Sequence, residues 1–156
     1  MILMIRKMKE FIEKGMAFEE ICEALEDYKQ HTGIIFCLES LNNLANNGRV
    51  SHAAAKLAGV LGIRLVGIGD AGELNPKAKC RGEKSTLSGI MKELKELGYC
   101  GQRILIHHCL NESMALKLKA MVEADYPDAL ITLGKDGGLC SFYAEKGGLI
   151  IGFETN

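Results

Sequence analysis

Two stripes of apolar residues with helical spacing occupy the start of the chain, and Gly15 separates them. The first stripe consists of Ile5, Met8, Phe11 and Ile12. The second stripe consists of Phe18, Ile21, Cys22, Leu25 and Tyr28. Apolar positions that recur every three or four residues place one face of a helix against a core. We therefore predict two amphipathic helices that form a helical lead-in over residues 1–32.

The next segment changes from helical spacing to a short continuous apolar run. GIIFCL, residues 33–38, is rich in β-branched and aromatic side chains and predicts a buried strand. Leu41 and Leu44 indicate a brief helix after it, which Asn47-Gly48 ends. Ser51 is then the expected N-cap of an alanine-rich helix, HAAAKLAGVLG.

The segment IRLVGIGDAGELNPKAK is typical of a β-hairpin. We expect a strand over residues 63–68, a turn at Asp70-Ala71-Gly72 and a returning strand that Pro76 places at a sheet edge. GIGDAG also has the glycine spacing of a dinucleotide-binding loop, but that loop requires a helix directly after it. The residues that follow, ELNPKAK, are strand-like, so we favour the hairpin.

The second half of the chain combines two periodic helices with three apolar strands. Leu87, Ile90, Met91, Leu94 and Leu97 mark a helix that Gly98 ends, and Asn111 is the expected cap of a helix that ends before Pro127. Strands are expected at residues 102–107, 129–133 and 148–154, the last two around a glycine-rich connection. This order predicts an α+β fold with a mixed, partly antiparallel sheet backed by helices.

Composition restricts the class of protein without choosing a function. The 156 residues carry a net charge of −1 and are 47% hydrophobic, as expected for one globular domain with no overall attraction to nucleic acid or membrane. Six cysteines without CxxC pairs favour reduced thiols in a cytoplasm. No apolar run approaches the roughly 20 residues of a membrane span. We expect a cytoplasmic protein without a bound metal or cofactor.

His107-His108-Cys109 is a candidate for catalytic chemistry. A cysteine nucleophile, Cys109 or Cys140, with His107 or His108 as its base would make the protein an enzyme. Adjacent histidines on a strand point to opposite faces and cannot share one metal ion. The alternative is a structural role, in which the two histidines form hydrogen bonds with backbone groups at the end of a strand.

Two local features concern charge. Lys77, Lys79, Arg81 and Lys84 form a basic cluster that is either a solvated face or a docking site for an acidic partner, which would make the chain a plain protein-interaction module. Arg49 follows Gly48 immediately before an apolar segment of small side chains. A guanidinium beside an apolar surface needs an anion, either a carboxylate of the protein or an apolar ligand with an acidic head.

Several motifs in sequence carry a family resemblance. IFCLESLNNLANNGRVSHAAAKLAGVLGIRLVGIGDAGELNPKAKCRG resembles the second half of the DegV family of bacterial fatty-acid-binding proteins, in which a GGRI turn, an apolar helix, a strand pair and a VRG segment follow in this order. ILIHHCLNESMALKL and GGLIIGFE extend the likeness over residues 33–156. The resemblance implies a C-terminal lobe of the DegV type. We expect the family's N-terminal lobe to be absent from this chain.

The resemblance also implies a function and a set of residues. Family members hold a fatty acid between two lobes and present its carboxylate to a fatty acid kinase. Arg49 matches the arginine of the GGRI turn, and Arg81 matches the VRG arginine on the surface that faces the kinase. Tyr143 stands near the position of a histidine that contacts the carboxylate in many members, because YAEKG replaces their HTGPG loop.

The expected ligand-binding and partner-binding residues follow from this comparison. We predict that a long-chain fatty acid contacts Gly48, Arg49, Ser51, Leu57, Leu61, Leu65 and Tyr143. The predicted kinase surface contains Lys77, Lys79, Arg81 and Lys84. An uncovered half of the acyl tunnel would also expose apolar surface, so we expect self-association into a homo-oligomer.

Overall fold

A computed structural model describes residues 1–50 and 63–155 of the chain. The helices of this part are α1 (Ile2–Glu13), α2 (Phe18–Gln30), α3 (Asn42–Asn46), α4 (Gly82–Glu96), α5 (Glu112–Asp125) and α6 (Gly138–Ala144). The strands are β1 (Thr32–Leu38), β2 (Ile63–Asp70), β3 (Glu73–Arg81), β4 (Arg103–His108), β5 (Leu130–Lys135) and β6 (Leu149–Glu154). The predicted helix after Ser51 lies outside the described residues.

The strands form one mixed sheet in the order β3-β2-β1-β6-β4-β5. Only β4 and β5 pair in parallel, and the other four neighbouring pairs are antiparallel. A parallel pair needs a crossover, which α5 supplies between β4 and β5. The predicted α+β class with a mixed, partly antiparallel sheet is confirmed.

Helices α4 and α5 cover one face of the sheet and form the main core with it. Their apolar stripes are fully buried at Ile90 and Leu94 of α4 and at Leu118 of α5. They pack against inward side chains of all the central strands, including Ile35 and Phe153. Helix α4 was predicted from the periodicity of the same residues, because apolar residues with helical spacing form the face that packs against the core.

Among residues 1–50 and 63–155, two groups of helices cover separate parts of the opposite face of the sheet. Helices α1 and α2 pack there through Leu3 and Tyr28 against Leu105 of β4. Tyr28 also donates a hydrogen bond of 2.5 Å from its hydroxyl to Glu154 Oε1, and burial together with this carboxylate raises the pKa of Tyr28. Helices α3 and α6 cover a second region of the same face, in a separate apolar cluster with the β1 side chains.

The hairpin prediction is confirmed in detail. Strands β2 and β3 are antiparallel and joined by Ala71 and Gly72, whose φ values of 47° and 82° are those of a tight two-residue hairpin turn. Pro76 lies on β3, the edge strand, beside a shift in register between Val66 and Gly67. GIGDAG therefore forms a strand and a turn, without the helix that a dinucleotide would require.

Two details of the second half differ from expectation. The segment predicted as a glycine-rich connection contains a helix, α6, because Leu139 and Tyr143 stand four residues apart and both reach the sheet side. Asn111 occupies the N-cap position of α5, but its side chain makes no capping bond. Its Nδ2 instead donates to the Gly147 carbonyl at 2.7 Å and fixes the loop after α6.

Candidate functional site

An apolar groove crosses the partly covered face of the sheet. Side chains of β1, β3 and β6 form its floor, and α3 and α6 form its walls. Its central cavity has a volume of about 240 Å³ and is lined by Ile34, Phe36, Leu38, Leu44, Gly69, Leu74, Leu139, Cys140, Tyr143, Ala144 and Ile150. Apart from the Tyr143 hydroxyl and the Cys140 thiol, these side chains are hydrocarbon or hydrogen, so the central cavity suits an apolar ligand.

The groove continues beyond the central cavity on two sides. Towards α1 it shares Ile34, Cys140 and Ile150 with a cavity that Leu3, Leu105 and other residues line. In the other direction it shares Leu44, Leu74, Leu139 and Tyr143 with a cavity lined by Gly48, Arg49, Gly72 and Glu73. The groove is therefore apolar at its centre, with Thr32 and His107 among the residues at the α1 end and with charged groups at the Arg49 end.

Local backbone chemistry places Arg49 at this end. Helix α3 ends in a Schellman motif, in which Arg49 N–H donates to the Leu44 carbonyl at 2.8 Å and Gly48 N–H to the Ala45 carbonyl at 3.0 Å. Gly48 has φ 67°, the left-handed conformation this motif requires. The asparagine-glycine pair that predicted the end of α3 thus also directs Arg49.

The side chain of Arg49 is exposed and makes no ion pair or hydrogen bond within residues 1–50 and 63–155. The internal ion pair considered from the sequence is therefore not found in the described part of the chain. Glu73 lines the same cavity without pairing with it. The guanidinium remains available to an anion that enters the cavity, where a bidentate carboxylate is its best partner.

The other predicted ligand residues lie at different distances from the groove. Tyr143 lines both the central and the Arg49 cavity, and Gly48 lines the latter. Leu65 is 7% exposed and packs in the cluster with Leu38, so it supports the wall and does not line the cavity. Ser51, Leu57 and Leu61 lie outside the described residues.

The predicted partner residues form an exposed basic rim on β3 and the start of α4. In register, Lys79 faces Leu65 and Arg81 faces Ile63, on the same side of the sheet as the groove. Lys117 pairs with Glu83, the acidic residue of this segment, at 2.5 Å. Lys77, Lys79, Arg81 and Lys84 make no ion pair in the described parts of the chain, so the rim keeps its positive charge.

The cysteine and histidine candidates form no hydrogen-bonded pair among the described residues, although Cys140 and His107 line the same cavity at the α1 end of the groove. His107 and His108 point to opposite faces of β4, and His108 Nδ1 accepts a hydrogen bond from Asn111 N–H at 3.2 Å. Cys109 Sγ lies 3.7 Å from the Ser141 carbonyl and within hydrogen-bond distance of no histidine among residues 1–50 and 63–155. Burial and the charge of Asp136 raise the pKa of Cys109, which opposes nucleophilic chemistry.

No metal site is found among the described residues, since their histidines, cysteines and carboxylates do not group in threes. Nor does any described helix have the length and apolar character needed to cross a bilayer.

Most groove residues were missed from the sequence. Ile34, Phe36 and Leu38 belong to a predicted strand, but their shared face is visible only as alternation within a continuously apolar run. Leu139, Cys140 and Ala144 were assigned to a connection, although their helical spacing was a usable signal. Leu74 belongs to the returning strand of the predicted hairpin and was not identified as a groove residue.

Comparison with known proteins agrees with this architecture. The model of the family described as "Uncharacterised protein, DegV family" matches residues 1–156. The chain belongs to the DegV family. A DegV domain-containing protein of Streptococcus pyogenes serotype M1 is 38% identical over 155 residues, which are 99% of this chain and 55% of that protein. The chain thus spans about half the length of the curated relatives it matches.

Two solved structures of the DegV family superpose closely. A DegV family protein from Eubacterium eligens, loaded with heptadecanoic acid, is 41% identical with a TM-score of 0.96 over 99% of this chain and 56% of that one. The Streptococcus pneumoniae Fatty Acid Kinase (Fak) B3 protein, loaded with linoleic acid, is 37% identical with a TM-score of 0.96, over 99% of this chain and 55% of that one.

Proposed function

We propose that the groove of this DegV chain binds the hydrocarbon tail of a long-chain fatty acid and that Arg49 holds its carboxylate. The observation that carries the proposal is the apolar groove with, at one end, a guanidinium that pairs with no residue in the described part of the chain. The fatty acids loaded on two close structural neighbours support the same ligand class. Tyr143 lines the same cavity as Arg49, and in this proposal its hydroxyl donates a second hydrogen bond to the carboxylate.

The length of the groove supports a long-chain acid. The floor runs from Leu74 on β3 to Leu105 on β4, which are four strand spacings apart in the sheet order. At about 4.8 Å per spacing this is roughly 19 Å. An extended hydrocarbon advances about 1.25 Å per carbon, from its bond length and angle. The groove therefore matches a tail of about fifteen carbons.

Titration with a fluorescent long-chain acid tests the headgroup role. Arg49→Ala should weaken binding by about 1.5–3 kcal/mol, the value of a charge-assisted hydrogen bond, with little change in the fold. Arg81→Ala is the matched control, because it removes the same charge outside the groove, and its affinity should equal that of wild type. Equal affinities for Arg49→Ala and wild type would remove Arg49 from the site.

We further propose that this lobe is a carrier and not an enzyme, and that it presents the carboxylate to a fatty acid kinase in the cytoplasm. The basic rim of β3 supports a docking surface for an acidic patch on the kinase, on the same side of the sheet as the groove. The six free cysteines support a reducing compartment.

Reversal of one rim charge tests the partner. Arg81→Glu should leave fatty-acid affinity unchanged and slow acyl phosphate formation by the kinase at low salt, because a rim charge alters encounter more than pocket chemistry. The defect should shrink as salt screens the charges. Equal rates for wild type and Arg81→Glu at low salt would contradict the docking role.

A further inference from the structure

Glu145, the residue after α6, has a backbone conformation that disfavours its side chain. Its φ of 52° and ψ of 175° lie beside a region of the Ramachandran map that glycine alone occupies readily. Gly147 and Gly148 follow closely, so the loop contains glycine but does not use it at this position. A strained non-glycine residue is kept where its side chain has a task.

The Glu145 side chain joins the two walls of the groove. Its Oε1 accepts a hydrogen bond of 3.0 Å from the backbone N–H of Asn43, in the first turn of α3. Leu41, at the N-cap position of that helix, has no side-chain oxygen and makes no capping bond. Glu145 thus satisfies a helix-end donor 102 positions away in sequence.

A second bond makes the connection rigid. Asn43 Nδ2 donates to the Phe142 carbonyl of α6 at 2.8 Å. One residue of α3 therefore holds α6 through both its backbone and its side chain. Gly48, the turn residue that directs Arg49, is five positions after Asn43, and Tyr143 immediately follows Phe142. The Glu145–Asn43 contact therefore sets the separation of the Arg49 turn from Tyr143.

We propose that Glu145 is a positioning residue for the ligand headgroup, which holds Arg49 and Tyr143 at the distance that one carboxylate spans. This inference rests on the proposed fatty-acid function and adds a residue that makes no contact with the ligand itself. The strain at Glu145 is then the cost of holding the site in its binding geometry.

Three variants separate positioning from general stability. Glu145→Gln keeps an oxygen acceptor, whereas Glu145→Ala and Glu145→Gly both remove it. Glycine also relieves the backbone strain, so the Tm of Glu145→Gly should exceed that of Glu145→Ala by about 4 °C. The affinity for a dansyl-labelled undecanoic acid should instead depend on whether the side chain at position 145 has an oxygen acceptor. It should be near wild type for Gln and about tenfold weaker for both Ala and Gly.

The methyl ester of the same probe is the control for the tail. Its binding lacks the carboxylate, so all four proteins should bind it alike. If Glu145→Gly binds the acid as tightly as wild type, or loses acid and ester affinity in parallel, the positioning role is wrong. If wild type itself does not prefer the acid to the ester, the proposed function loses its headgroup contact, and this inference fails with it.

Discussion

At the scale of single residues, the carboxylate of Asp136 lies in an environment that disfavours its charged form. Its side chain is 3% exposed, and its Oδ2 has no hydrogen-bond partner among the described residues. His107 Nδ1 stands 3.9 Å from Oδ1, beyond hydrogen-bond length. Burial raises the pKa of Asp136, although the nearby His107 and His108 act in the opposite direction.

This environment predicts a pH-dependent stability. Because the pKa of Asp136 is raised on folding, the folded chain binds more protons, and stability falls as pH rises from about 3.9 through the folded pKa. Asp136→Asn removes the charge and should stabilise the fold by about 1 kcal/mol at pH 7. Thermal unfolding between pH 4 and 8 checks this: the advantage should vanish towards pH 4, and a pH-independent difference would show that the charge is not its cause.

Cys109, one of the two candidate nucleophiles, tests the enzyme alternative at the same scale. Burial and the charge of Asp136 raise its thiol pKa, so little thiolate exists at neutral pH. Iodoacetamide at pH 7 should therefore modify Cys109 more slowly than the exposed Cys22, as measured by peptide mass spectrometry. Faster modification of Cys109 than of Cys22 would revive the cysteine nucleophile.

At the scale of elements, α3 shows how a very short helix is held in place. Five residues are too few for a helix to persist alone, so its ends depend on tertiary and turn contacts. Glu145 supplies the contact at its start and Gly48 supplies the turn at its end. Its direction, and with it that of Arg49, is therefore set by both contacts.

Gly48→Ala tests the turn. A Cβ at this position would meet no atom of the described residues within 4 Å, so the φ of 67° is what opposes it in this part of the chain. The variant should lose about 1–2 kcal/mol in denaturant unfolding. Gly137→Ala is the control, since Gly137 is equally open but has φ −123°. A loss of the same size at both positions would mean that the left-handed conformation is not responsible.

At the scale of the whole molecule, residues 1–50 and 63–155 leave one side of the groove uncovered. Ile34 is 43% exposed and Leu139 69% exposed, although both line the central cavity. An acyl tail in this groove contacts the sheet and α6 but is not enclosed by the described residues. Burial stabilises a tail only over the part that leaves water.

We therefore expect the 156-residue chain by itself to bind a long-chain acid weakly. A sixteen-carbon acid gains about 12 kcal/mol if every methylene is buried, and about half of that in an open groove. Immobilising the tail costs several kcal/mol more, which brings Kd towards the millimolar range. Calorimetry measures this directly, with sedimentation velocity to detect self-association, and micromolar binding by a monomer would contradict the estimate.

The sequence by itself determined most of the secondary structure. The stripes of α2 and α4, the strand GIIFCL and the hairpin at Ala71-Gly72 were predictable because helical period, apolar runs and turn chemistry are local properties. The position of Arg49 between Gly48 and an apolar segment already indicated an anion site, and the family resemblance added Tyr143. Helix α6 was missed because its flanking glycines obscured a short apolar stripe.

Tertiary structure alone decided which side chains share a surface. Leu74, Ile34 and Ile150 are far apart in sequence and become neighbours through strand order, which no local pattern encodes. The contact from Glu145 to Asn43 likewise spans most of the chain. Local propensity comes from each residue's own backbone and its neighbours in sequence. The groove and the contact between Glu145 and Asn43 arise from long-range packing, so only the folded chain reveals them.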